Sequence, residues 1–92
     1  MSRQTLRIRV SGLVQGVGYR RWAWIKANSL GIDGQVRNLA DGRVEILAEA
    51  EDTPLRAFIG LLREGPRLAQ VTGLEVEPYP ANSLDWRRFE VR

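Results

Sequence analysis

The 92-residue chain contains no cysteine and no histidine. The first absence removes disulfides, thiolate nucleophiles and every cysteine-containing zinc site. The second removes the commonest metal ligand and the side chain that titrates near neutral pH. Catalytic triads of the Ser-His-Asp or Cys-His kind are therefore excluded. Long apolar runs are also missing: no stretch approaches the ~20 residues of a membrane span, and the opening Met1-Ser-Arg-Gln-Thr-Leu-Arg-Ile-Arg-Val10 is too charged for a secretory leader. A cytoplasmic, soluble protein without membrane contacts is expected. Lysine is nearly absent, because the 14 cationic residues are Lys26 and 13 arginines; set against 11 acids they leave a net charge of +3. That balance favours anionic partners without naming one.

What is present is enough for one small domain over residues 1–92, since a chain of this length removes roughly 60–65% of its unfolded surface from water. Leu6, Ile8 and Val10 alternate with Arg7 and Arg9, the period of a half-buried strand, and Ser11-Gly12 closes it. Residues 19–30 carry no turn signal. Trp22, Ile25 and Ser29, flanked by Ala23, Ala27 and Leu30, recur at helical spacing up to a stop at Gly31. Trp22 and Trp24 lie two apart and cannot both face one core. Residues 35–39 and 43–50 flank Ala40-Asp41-Gly42, a hairpin turn between strands two and three. Thr53-Pro54 reads as an N-cap followed by proline at the first helical position, and Leu55, Phe58, Ile59 and Leu62 then fall at i, i+3, i+4 and i+7. Gly65-Pro66 ends that helix. Residues 71–77 form a fourth strand with Leu74 and Val76 on one side, and Phe89 and Val91 lie in a short terminal strand; Trp86 has no assignable role. The order βαββαβ fits an α+β, ferredoxin-like split βαβ sandwich: an antiparallel sheet of order 4-1-3-2 with two helices on one face and a short extra C-terminal strand. On the bare face Arg7 and Arg9 then meet Glu45, Glu49, Glu75 and Glu77, a charge-balanced surface that needs no ligand.

The segment with chemical promise is Gly12-Leu-Val-Gln-Gly-Val-Gly-Tyr-Arg20, between the first strand and the first helix. Glycines there let amides turn inward, where free N–H groups and the positive end of the helix dipole form an anion cradle. Arg20 falls in the first turn of the helix, where the dipole disfavours a cation unless an anion is bound. The same glycines would equally suit a ligand-free β–α connection. The Walker A pattern fails for want of a lysine, and the dinucleotide fingerprint fails because position 21 is Arg. Asn38 ends strand two at the edge of the sheet that carries the glycine loop. It shares parity with Val36 on the helix-covered face, where an amide needs a partner or water. Capping of the Ala40-Asp41-Gly42 turn is the alternative role for it.

The run Val10-Ser-Gly-Leu-Val-Gln-Gly-Val-Gly-Tyr-Arg20 resembles the acylphosphatase signature, and Gly34-Gln-Val-Arg-Asn38-Leu-Ala-Asp-Gly42-Arg-Val-Glu45 resembles the second signature of that family. Further similarity runs through Ala27-Asn-Ser-Leu-Gly-Ile32, Gly65-Pro66 with Ala69 and Val71, and Phe89-Glu-Val91. The resemblance implies hydrolysis of acyl phosphates to a carboxylate and inorganic phosphate, with no metal or cofactor. It implies that Arg20 binds the phosphoryl oxygens, that Asn38 orients the attacking water, and that backbone amides of Gln15, Gly16, Val17, Gly18 and Tyr19 form the phosphate-binding loop. The Tyr19 ring is a packing residue in that reading. Inorganic phosphate is expected as product and inhibitor, and the protein as a monomer. Leu39 stands where some members carry Thr, and Ala50-Glu51 where a glycine is frequent. Two other functions share the fold. One is a domain that senses phosphate ligands without turning them over; the other is an RNA-binding module, which would need aromatics on the open sheet face.

Overall fold

The computed structural model describes residues 3–80 and 89–92. The elements run β1 (Arg3–Leu13), α1 (Tyr19–Ser29), β2 (Asp33–Asn38), β3 (Val44–Glu51), α2 (Asp52–Glu64), β4 (Gln70–Pro78) and β5 (Phe89–Val91). The sheet order is β4-β1-β3-β2-β5. Strand β1 is antiparallel to both β3 and β4, β2 is antiparallel to β3, and β5 is parallel to β2. The expected 4-1-3-2 arrangement is present, with the extra strand placed beside β2. Trp86 lies outside the described residues.

The alternation of β1 sends Ile8 and Val10 into the core, where both are fully buried. Val36 of β2 and Val44, Ile46 and Ala48 of β3 join them, and Leu55, Phe58 and Leu62 of α2 close over the layer. Burying each of those three α2 side chains contributes about 1.5–3 kcal/mol. Phe58 meets Phe89 edge to face at 5.9 Å and 81°, which anchors β5 against the second helix. On the opposite face the cross-strand charges pair: Arg7 Nε donates to Glu77 at 2.7 Å, and Glu45, only 5% exposed, lies between Arg37 at 2.9 Å and Arg9 at 3.6 Å.

Two local expectations are corrected, the buried face of the first helix and the start of the second. The first helix buries Tyr19, Ala23 and Ala27, whereas Ile25 is 45% exposed and Ser29 is a surface residue whose hydroxyl donates to the Lys26 carbonyl. Small alanines at i and i+4 let the helix axis lie close to the sheet, and that approach turns Ile25 outward. Trp22 is half-buried, while Trp24 is exposed and donates from Nε1 to the Phe89 carbonyl at 3.1 Å. The second helix begins at Asp52 with Glu51 as N-cap and no side-chain cap, so Thr53 is not its cap and Pro54 is its third residue. Proline is tolerated there because the N–H it lacks has no partner within the helix in any case. The stop after α1 is as read: Gly31, at φ 71°, donates to the Asn28 carbonyl at 3.2 Å, and Ile32 donates to the Ala27 carbonyl at 2.9 Å. These are the two bonds of a Schellman motif, with Ile32 buried behind them.

Tyr19 pins the start of α1 to the end of α2. Its ring is 1% exposed, and its hydroxyl donates to the Leu62 carbonyl at 2.6 Å. Burial pushes the phenol pKa upward, so the group stays a protonated donor. Tyr19→Phe leaves that carbonyl without its partner and should cost about 1–2 kcal/mol in urea unfolding at an unchanged m-value.

Candidate active site

Strands β1 and β2 run parallel, so the exit from β1 and the C-terminal end of β2 share one edge of the sheet. Residues 14–18 leave β1 there and turn into α1. Gly16 (φ 76°) and Gly18 (φ 83°) hold left-handed conformations, and Gly18 is the N-cap residue without any side-chain cap. Past Gly18 the first main-chain bond of the helix is Trp22 N–H to the Gly18 carbonyl at 3.1 Å. Among the described residues no acceptor takes the amides of Gln15, Gly16, Val17, Gly18, Tyr19, Arg20 or Arg21. A run of free donors ending at a helix N-terminus is the arrangement that binds a phosphate-like dianion.

Val14, Gly16, Gly18, Tyr19, Arg20, Arg21, Asn38 and Val91 line one cleft of about 220 Å³. Arg20 and Asn38 are thus brought together across 18 positions of sequence. Arg20 is half-buried, and its Nη1 donates to the Arg92 carbonyl at 2.8 Å, which holds the guanidinium in place. Asn38 shares the parity of Val36, but the helices do not cover this end of β2: Asn38 is exposed and its amide bonds to no described residue, so it does not need the buried partner that parity suggested. Nor does it cap the hairpin. That role falls to Asp41, whose Oδ1 accepts the Arg43 N–H at 3.1 Å and whose Oδ2 accepts from Arg43 Nε at 2.9 Å. Those bonds hold the Asp41 carboxyl below the usual carboxylate range. The turn contact is therefore present above the ordinary carboxylate pKa and is lost as pH falls through the depressed one.

Two loop side chains are engaged away from the cleft. The Gln15 side chain turns away and donates from Nε2 to the carbonyls of Leu39 at 2.8 Å and Arg43 at 2.9 Å. It ties the glycine loop to the β2–β3 hairpin, next to Asn38. At position 39 the structure uses main-chain atoms only, since the Leu39 N–H also donates to the Arg43 carbonyl at 2.8 Å. Val17 packs against the core and lines a separate depression with Pro66, Arg67 and Leu68.

Sequence reasoning missed three contributors. Arg21 lines the cleft, Gln15 acts as a tether, and β5 supplies Val91 and the Arg92 carbonyl. The Arg92 N–H donates to the Val36 carbonyl at 2.8 Å, so pairing with β2 carries the end of β5 to the site. Nothing local in Phe89-Glu-Val91 announces which strand it joins. A larger depression of about 530 Å³, lined by Trp24, Asn28, Phe89, Glu90 and Val91, has no cation on its walls, so size does not mark the anion site. The open sheet face is occupied by Arg–Glu pairs, which leaves little platform for stacking bases.

Comparison with known proteins identifies the family of the chain. The family model described as Acylphosphatase matches residues 6–91. An acylphosphatase of Pseudomonas paraeruginosa is 48% identical over 84 residues, 91% of this chain and 92% of the relative. The crystal structure of an acylphosphatase from Bacillus subtilis superposes with a TM-score of 0.88 at 37% identity, covering 96% of this chain and 97% of that one. An acylphosphatase from Coxiella burnetii gives a TM-score of 0.91 at 34% identity, covering 98% and 93%. With the family model matching residues 6–91 and nearly the whole length of the chain covered by these relatives, the chain belongs to the acylphosphatase family.

Proposed function

We propose that this chain, one catalytic domain over residues 1–92, hydrolyses acyl phosphates in the cleft between the glycine loop and the end of β2. Family membership carries the activity, and the convergence of Arg20, Asn38 and the loop residues Gly16, Gly18 and Tyr19 on one cleft supports the division of labour that follows. The amides of Gln15, Gly16, Val17, Gly18 and Tyr19 seat the phosphoryl oxygens. Arg20 adds a fixed charge that meets two of those oxygens with its planar fork. Asn38 accepts a hydrogen bond from the attacking water through its carbonyl and donates to the phosphoryl group through its amide.

An acyl phosphate already has a good leaving group, so catalysis consists of holding the phosphoryl group, spreading its charge and aiming water in line. The water oxygen bonds to phosphorus as the bond from phosphorus to the acyl oxygen breaks. The carboxylate departs with the electron pair, one water proton stays on the new P–OH, and the other moves to a phosphoryl oxygen, giving dihydrogen phosphate. No Asp or Glu of the described residues lines the cleft, which supports the substrate's own oxygen as the acceptor of that proton.

The enzyme works in this reading as a cytoplasmic monomer on small-molecule acyl phosphates; no helix of the described residues is long and apolar enough to cross a membrane. Hydrolysis of benzoyl phosphate should survive exhaustive chelation with EDTA. Inorganic phosphate should inhibit competitively, raising KM for benzoyl phosphate without changing kcat. Loss of activity on chelation, or noncompetitive inhibition, would contradict the arrangement.

A further inference from the structure

The cleft contains a second cation that the reaction above does not use. Arg21 follows Arg20 in the first turn of α1 and lines the same cleft, and it is exposed where Arg20 is half-buried. Arg3, Arg7, Arg9, Arg37, Arg43, Arg56 and Arg92 all have carboxylate partners, whereas Arg21, like Arg63 and Arg67 outside the cleft, has no ion pair or hydrogen bond among the described residues. The first turn of α1 contains no acid, and none lines the cleft. Two adjacent cations at the positive end of a helix repel each other and oppose the dipole, so the second is costly to keep unless an anion meets it.

We propose that Arg21 is a specificity residue that favours acyl phosphates whose acyl part carries a second anionic group. The inference rests on the reading of the cleft just given. With the phosphoryl group seated among the loop amides and against Arg20, the acyl part extends toward the open side of the cleft. Successive helical residues diverge by about 100° around the axis, so Arg20 and Arg21 do not approach the same oxygens from one side. Arg20 is also held by the Arg92 carbonyl, whereas Arg21 is free to swing over the rim. An anion on the acyl part meets an unpaired guanidinium there. Because that charge is exposed, the preference is modest, about three- to tenfold, and salt weakens it.

The test compares kcat/KM for benzoyl phosphate and 4-carboxybenzoyl phosphate, which differ only in the added carboxylate. The wild-type protein should prefer the carboxylated substrate at low ionic strength, and 0.5 M NaCl should shrink the preference. Arg21→Gln should bring the ratio of the two kcat/KM values to about one, and Arg21→Lys should restore most of it. Three results would overturn the proposal: no wild-type preference, an equal loss on both substrates in Arg21→Gln, or a preference removed by Arg67→Gln instead. Failure of the wild type to hydrolyse even benzoyl phosphate would strike at the acyl phosphate reading itself, and the proposal would fall with it.

Discussion

Replacing Arg20 by Gln is expected to lower kcat for benzoyl phosphate by about 10³-fold or more while the protein stays folded, the scale associated with losing an arginine that stabilises transferring phosphoryl charge. The side chain is not part of the apolar core, and among the described residues its bond is the one from Nη1 to the Arg92 carbonyl, so the change removes a fixed charge without opening a cavity. Gln keeps a donor but has neither the charge nor the fork. The loss should therefore appear mainly in kcat, where charge is being redistributed, with a smaller rise in KM. Steady-state kinetics alongside a thermal unfolding curve decide the matter. A folded Arg20→Gln protein with near wild-type turnover would remove Arg20 from the mechanism.

Asn38→Ala should reduce kcat by about 10²- to 10³-fold, as for loss of one preorganised hydrogen-bonding group. Asn38 is exposed, and its contribution to the sheet is made by its backbone opposite Val44, so stability should change little. The discriminating quantity is the split between the two constants. A group that orients water acts on kcat, because water is not aimed until the phosphoryl group is seated. If the variant instead raised KM with kcat intact, Asn38 would be a binding residue and water orientation would pass to another group. Gln15→Ala offers a contrast. It breaks the tether to the hairpin without touching the cleft, so it should lower kcat less than Asn38→Ala does, through a looser placement of Asn38.

The differences between the sequence reading and the structure have physical causes at particular residues. The α2 pattern from Leu55 to Leu62 was legible because a long apolar stripe on one face has few alternatives. The α1 face is less legible because its large side chains suggest one stripe, whereas close approach of the helix to the sheet selects Ala23 and Ala27 and leaves Ile25 in solvent. Parity placed Asn38 on the correct face, but parity has no term for where the covering layer ends. Position 21 was noted only as the Arg that breaks a dinucleotide fingerprint. Its place in the cleft, and its lack of a partner, depend on which residues the fold brings around it.

Periods of two and 3.6, the glycine-marked turns and the two signature segments determined the element order and the family and drew attention to Arg20 and Asn38, because each is written in residues a few positions apart. Only the tertiary structure decided that β5 pairs in parallel with β2, that its last carbonyl braces Arg20, that Gln15 turns away to hold the hairpin, and that Arg21 faces the cleft unpaired. Those contacts join residues 24 to 72 positions apart or depend on which partners are already taken. Such choices are made by the packing of the whole chain, and no local pattern records them.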